Sequence, residues 1–394
     1  MATELDIQNL LTMVDRSLRE PFSAWLVRDE LHLRREKQIV LYIERTSRAD
    51  FRTHLMSRLS VPARACLAHV LATKNPEAGP LLADVAAEGY DVSTAHLGEL
   101  HSRGFVFFDS PALWPGNSAV WTRDNMGGAL VVPPAFMNDT VSVAAPSPPA
   151  LHEPANVSVT ESTSDSAISC ALRAFLACVS KGSLKLTQRG EFTSRARTAF
   201  EKEAGSALCE GLLSPEYVLQ FARSRTLVKA DSTGTIIPAR RFARFRSKPL
   251  AAQTDEFLDY SFDHARLPDD DDIAALGFSL TRYCMKLVRS ILAHTPPGTW
   301  TSVPSLAREA GDRLARTFHA TQGRRRWFWP ESTLDLPSRR RVRECVEDVL
   351  RAWYLHTAVV EFGEDARGTR AFRLTSLGRF WLQGETEPTH DTTR

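Results

Sequence analysis

A mainly α fold with small β-hairpins is what this 394-residue sequence predicts, and three observations carry it. Amphipathic segments of helical period recur along the chain. Short runs of β-branched and aromatic residues follow them in pairs, joined through glycine-containing turns. The order, helices and then a hairpin, is written three times. A composition of 43% hydrophobic and 24% charged residues is ordinary for a globular chain with room for two or three cores.

After an N-terminal helical segment (1–58), "LSVPARACLAHVLAT" predicts an amphipathic helix. "GPLLADVAAEG" and "DVSTAHLGELHSRG" predict two short helices separated by Gly89, the second opened by a Ser/Thr-rich cap and closed at Gly104. "FVFFDS" reads as a strand, "PALWPGNS" as a turn-rich excursion and "AVWTRDNMGGALVVPPAF" as the return. Helix, helix, helix, strand, loop, strand is the order of a winged helix, a helix-turn-helix with a β-hairpin appended. This first module is expected at 59–136.

From Met137 to about Ser164 the chain is rich in Pro, Ser, Thr and Ala. Such a segment buries too little apolar surface to offset its ordering entropy, so 137–164 is expected to be a flexible linker. The tail 385–394 is expected to be disordered on the same grounds. A second module, 165–268, holds the helix "SAISCALRAFLACVSKG", the short strand "LKLT", the helices "TSRARTAFEKEAG" and "SPEYVLQFARSR", and a hairpin turning at Ser232-Thr233-Gly234. Cys170 and Cys178 are expected on the buried face of its first helix. A third module, 269–384, ends in "AVVEFGEDARGTRAFRLTSLGRFWL", with its turn expected from Gly363 to Gly368.

Two stretches share the letters Leu-Thr-x-x-Gly: Leu186 to Gly190 and Leu374 to Gly378. They fall at different places in the repeated order, so they read as corners of similar chemistry rather than a duplicated active-site loop. Gly378 is expected to let the chain turn into a closing helix that places Phe380 and Trp381 on the core.

The six cysteines are scattered, with no C-x-x-C pair, which fits a reducing cytosol and argues against a disulfide framework or a zinc site. No run reaches about eighteen apolar residues. With Glu4 and Asp6 near its start the chain lacks a secretory layout, so a soluble, cytoplasmic protein without membrane contact is expected. There is no G-x-x-x-x-G-K-[ST], G-x-G-x-x-G, H-E-x-x-H or G-x-S-x-G pattern. No catalytic residue, metal ligand or cofactor is therefore assigned, and the chain is read as a non-enzyme. The run Asp269 to Asp272 reads as a solvated loop capping the next helix, with a metal site as the alternative.

A net charge of +2 does not announce a nucleic-acid partner, so any such surface must be local. Only eight of the 49 basic residues are Lys. Three arginine clusters stand out. Arg240, Arg241, Arg244 and Arg246 alternate with Phe242 and Phe245, whose rings are expected to face the core. Arg324, Arg325 and Arg326 adjoin Trp327, Phe328 and Trp329. Arg339, Arg340 and Arg341 stand at a helix start, where cations are electrostatically disfavoured and an external anion would be welcome. Arg367 and Arg370 join them from the last hairpin. Phosphates attract such clusters, and neighbouring aromatics add stacking on unpaired bases. A solvated face paired with the chain's own acids is the other reading.

The run "VPARACLAHVLAT…LGELHSRGFVFFDS…GGALVVPPAF" resembles bacterial helicase-associated domain proteins, relatives of the accessory regions of XPB-type helicases. Leu100, Arg103, Gly104, Val106, Val131, Val132, Pro133 and Pro134 carry the match. "LKLTQRGEFTSRAR", "IIPARRFARF" and the closing "FRLTSLGRFWL" extend it, although Phe245 stands near the position of the family's usual Trp. The resemblance implies a non-catalytic adaptor that binds DNA and works beside a helicase or nuclease in DNA processing, repair or defence. A protein-interaction scaffold and a sequence-specific transcription regulator are the alternatives.

Overall fold

Helix capping and hairpin turns place the elements of the computed structural model, which describes residues 34–73, 75–109, 123–146, 151–163, 167–204, 214–264, 272–273, 278–318 and 339–384. The protein is mainly helical, with small antiparallel sheets. The described residues fall into two compact units. Those within 1–150, 270–291 and 307–343 form the first, and those within 151–269, 292–306 and 344–394 the second.

The chain enters the first unit through α1 (Arg35–Thr46) and α2 (Ala49–Ser57). Helix α3 (Val61–Ala72) starts at Ser60, whose side chain accepts the Ala63 N–H, with Pro62 in the first turn where its missing donor costs nothing. Then come α4 (Ala78–Ala87) and α5 (Thr94–Ser102). The Ser93 N–H donates to His96 Nδ1 over 3.0 Å, closing a capping box at the start of α5. Strand β1 (Phe107–Phe108), the short helix α6 (Arg123–Met126) and strand β2 (Leu130–Val131) come next, with Phe107 opposite Val131. Leu82, Leu100, Phe105, Phe107, Phe108 and Phe136 fill the core here, and the Phe105 and Phe136 rings lie 4.9 Å apart.

In the second unit β3 (Ser158–Glu161) precedes α7 (Ala167–Ser180), the central helix, on which α8 (Ser194–Ala204) and α9 (Pro215–Ser224) pack. Ile168, Ala171, Leu172, Phe175 and Val179 bury one face of α7. Cys178 lies on that face, whereas Cys170 is half-exposed and turns off it. The hairpin of β4 (Val228–Ala230) and β5 (Ile236–Pro238) leads into α10 (Phe242–Arg246) and α11 (Leu250–His264). Phe221 of α9 meets Phe245, Phe257 and Tyr260 at ring distances of 5.8, 5.2 and 5.4 Å.

The remaining elements are β6 (Asp272–Ile273), β7 (Phe278–Ser279), α12 (Leu280–His294), β8 (Thr301–Ser302), α13 (Val303–Phe318) and α14 (Arg339–Val349), which passes into a π turn at Leu350–Leu355. Strands β9 (Val360–Glu364) and β10 (Arg370–Leu374) then form a hairpin, and α15 (Ser376–Gln383) closes the series. In the second unit these strands make one sheet in the order β3-β9-β10-β8. Among the described residues no helix is long and apolar enough to cross a membrane.

Several expectations change. Residues 158–161, expected in a flexible linker, form β3 at the edge of the four-stranded sheet, with Val159 opposite Gly363. Gly363 makes that approach feasible, since a Cβ there would fall 2.5 Å from Val157 Cγ1 and 2.6 Å from the Ser158 carbonyl oxygen. Gly363 therefore lies inside β9, and the turn runs from Asp365 to Thr369. Asp139, from the same expected linker, is ion-paired with Arg52 at 2.7 Å. Gly378 is no turn former either. It sits in the first turn of α15, with its N–H donated to Thr375 Oγ1, and a Cβ would fall 2.2 Å from the Val359 carbonyl oxygen. Asp272 pairs with Ser279 across β6 and β7 rather than capping a helix, while Asp269, Asp270 and Asp271 lie outside the described residues.

One motif recurs at three places. A helix ends, one residue takes the left-handed conformation, and a strand begins. That residue is Gly104 (φ 73°), Thr226 (φ 58°) or Ala358 (φ 58°). In each case the next N–H reaches back five residues into the helix: Phe105 to the Leu100 carbonyl (2.9 Å), Leu227 to Ala222 (2.8 Å) and Val359 to Tyr354 (2.9 Å). This is the bond that closes a helix C-terminus while turning the chain away. The returning strand is also bordered each time by a short extended segment lying between the first helix and the next, an isolated bridge in the first two places and strand β8 in the third. Leu130 donates to the Pro76 carbonyl (2.9 Å), Ile236 to that of Leu184 (2.8 Å), and β10 pairs with β8 through Ala371 and Ser302.

Candidate nucleic-acid interface

The arginines best placed by the fold are those around α10. The Ala239 N–H donates to the Leu227 carbonyl (2.8 Å), which ends the hairpin and drops the chain into a turn carrying Arg240 and Arg241. Phe242 and Phe245 then anchor the five-residue helix from below, at 5% and 2% exposure. Their spacing forces Arg240, Arg241, Arg244 and Arg246 outward, and all four are exposed. Among the described residues the guanidinium groups of Arg240, Arg241 and Arg244 make no hydrogen bond or ion pair. Arg246 donates to Ser180 Oγ over 3.2 Å.

Two of these arginines border an open pocket of about 360 Å³ in the second unit, lined by Arg225, Leu227, Arg241, Arg244, Phe245, Lys248, Glu256 and Asp259. Arg225 ends α9 and stands just before the left-handed Thr226. Its Nε is buried and has no hydrogen-bond partner among the described residues. Lys248 is ion-paired with Glu256 and lies 5.9 Å from the centre of the Phe245 ring. Asp259 accepts the Trp381 indole N–H at 3.2 Å. The buried Gln253 holds the loop after α10, donating to the carbonyls of Arg246 (3.4 Å) and Lys248 (3.0 Å).

The remaining sequence candidates are more dispersed. Arg340 and Arg341 lie in the first turn of α14, the first exposed and the second half-buried, and Arg339 begins that helix. Arg367 is exposed at the β9–β10 turn and Arg370 opens β10 half-buried. Arg324, Arg325 and Arg326, with Trp327 to Trp329, lie outside the described residues. Arg225 was not among the sequence candidates. In "FARSRTL" it is one arginine at a helix end, and only the fold of β4 and α10 brings it beside Arg241 and Arg244.

Some charged side chains elsewhere are paired with one another. Arg373 pairs with Glu361 and lies 4.6 Å from the centre of the Trp300 ring, and Arg197 pairs with Glu216. Burial pushes the thiols of Cys66 and Cys178 above the usual cysteine range, a setting that makes inert rather than reactive thiols. Tyr217 is likewise pushed up to about 12 by burial. Among the described residues no group of three His, Cys, Asp or Glu side chains is placed to hold a metal ion. No known family, curated protein or solved structure matches the chain.

Proposed function

We propose that this chain is a tandem winged-helix protein that binds DNA and acts, without chemistry of its own, as an adaptor beside a helicase or nuclease in DNA processing, repair or defence. The thrice-repeated order of helix, short extended segment, two helices, left-handed stop and hairpin carries this reading, because it is the order of a winged helix. The α10 arginines support the choice of a nucleic-acid partner. Three guanidinium groups held outward, with no partner among the described residues, suit phosphate oxygens, which accept their planar fork in bidentate geometry.

Anisotropy titration of a fluorescent duplex against salt tests the reading. Each phosphate contact removed should lower the slope of log affinity against log salt by roughly one unit. The variant Arg240→Ala/Arg241→Ala/Arg244→Ala should bind more weakly with a flatter slope, and remain folded because its side chains are exposed. A parent protein that binds no DNA at about 50 mM salt would replace this reading with that of a protein-interaction scaffold.

A further inference from the structure

The pocket beside α10 is more particular than a basic surface. Its charged groups are Arg225, Arg241, Arg244 and Lys248 against Glu256 and Asp259, four cations and two carboxylates, 4 − 2 = +2. Glu256 is taken by Lys248, and Asp259 receives the Trp381 indole. That leaves the excess on the three guanidinium groups. One of them, Arg225, has a buried Nε without a hydrogen-bond partner among the described residues. The pocket is concave, near the lower end of the roughly 300–1,000 Å³ typical of small-molecule sites. Gln253 holds its rim in place from within the fold.

We propose that this pocket binds a phosphate monoester. Such a group carries about −1.5 to −2 charges at neutral pH and three acceptor oxygens. That matches a local charge of +2 and three forked donors better than an internal phosphodiester, which brings one charge and two free oxygens. The monoester can come from the phosphorylated end of a DNA strand or from a free mononucleotide. The strand-end source rests on the DNA-binding reading above, and the mononucleotide source does not.

Calorimetric titration with dAMP and with deoxyadenosine tests the pocket directly. dAMP is expected to bind and deoxyadenosine not to. Arg241→Ala/Arg244→Ala should weaken dAMP binding about ten- to a hundredfold, the scale of two charged hydrogen bonds. Arg225→Lys should also weaken it, since Lys keeps the charge and loses the planar fork. Circular dichroism on both variants checks the fold, and the exposed Arg241/Arg244 pair decides the matter should Arg225→Lys unfold. Equal affinity for dAMP and deoxyadenosine, or dAMP binding unmoved in the double variant, overturns the proposal. A second titration compares oligonucleotides bearing a 5′-phosphate or a 5′-hydroxyl. Tighter binding of the phosphorylated strand identifies strand ends as the source, and equal binding alongside dAMP affinity identifies the mononucleotide. Duplex binding without any monoester preference refutes the pocket and leaves the adaptor reading intact, while dAMP binding by a protein without DNA affinity does the reverse.

Discussion

In β4–β5 the chain turns through Asp231-Ser232-Thr233-Gly234-Thr235, and in β9–β10 through Asp365-Ala366-Arg367-Gly368-Thr369. The bonding is the same. Asp231 N donates to the Thr235 carbonyl (2.9 Å) and Asp365 N to that of Thr369 (3.1 Å), and each Gly N–H returns to the Asp carbonyl. Asp231 Oδ1 accepts the N–H groups of Thr233 and Thr235, and Asp365 Oδ1 those of Arg367 and Thr369. Glycine occupies the left-handed position in both, with φ of 80° and 73°. The exits also agree, Ala239 bonding back to Leu227 and Thr375 to Val359.

Beyond that bond the two regions diverge. After β5 the chain exposes Arg240, Arg241 and Arg244 over a pair of buried Phe rings. After β10, Thr375 caps α15 at once, Gly378 lies against the Val359 carbonyl, and Trp381 is turned inward. A hairpin of the same local chemistry thus presents cations in one copy and closes a core in the other. Five residues set the turn, and the segment downstream of the hairpin sets its use.

The largest effect that could break the parallel lies in the helices that precede the hairpins. Phe221 and Trp353 each stand five residues before the left-handed stop, and both are fully or almost fully buried. Phe221→Ala and Trp353→Ala should each cost about 3–5 kcal/mol, read by urea denaturation. A cost below about 1 kcal/mol at either would remove that helix from the supporting core. Gly378→Ala comes next, because overpacking against a backbone carbonyl costs about 1–3 kcal/mol or more. Gly190, in the other Leu-Thr-x-x-Gly stretch, has open space around its Cβ position but a φ of 81°. Its replacement by Ala should cost only the left-handed penalty of about 1–2 kcal/mol.

The three helix stops allow a test with opposite signs. Gly104→Ala should destabilise by about 1–2 kcal/mol, whereas Ala358→Gly should stabilise by up to about 1 kcal/mol by relieving the same conformation. Thermal melts of the two variants that shift in the same direction would show that the stops are not equivalent.

The smallest effect is on acid stability. The Thr233 hydroxyl chiefly holds the Asp231 carboxyl below its ordinary range, and the Thr369 N–H does so for Asp365. A carboxyl whose folded pKa is depressed contributes stability that is complete above its unfolded value of about 4. That contribution disappears as pH falls through the folded pKa. Melting temperatures of the parent should therefore fall more steeply between about pH 4 and pH 2.5 than those of Asp231→Asn/Asp365→Asn, which keeps neutral acceptors in both turns. Parallel curves would assign the acid sensitivity elsewhere.

Much of this was legible beforehand where the signal is local. Ser60-Val61-Pro62, Ser93 and Ser214-Pro215 announce helix starts because the cap is a bond between residues three apart. Gly104, Gly234 and Gly368 mark the places where φ turns positive. Phe242 and Phe245 beneath an arginine row likewise come from helical spacing. The stops at Thr226 and Ala358 were not legible, because neither residue type favours the left-handed region.

The sequence by itself determined the helical majority, the hairpins, the caps and the outward arginines of α10, since each depends on contacts between residues near in the chain. Only the tertiary structure decided that 158–161 becomes a strand, that Gly363 and Gly378 are needed for close approach rather than turning, and that Arg225 joins Arg241 and Arg244 in one pocket. Those outcomes depend on which backbones come within van der Waals reach across long sequence separations, and no local pattern encodes that distance.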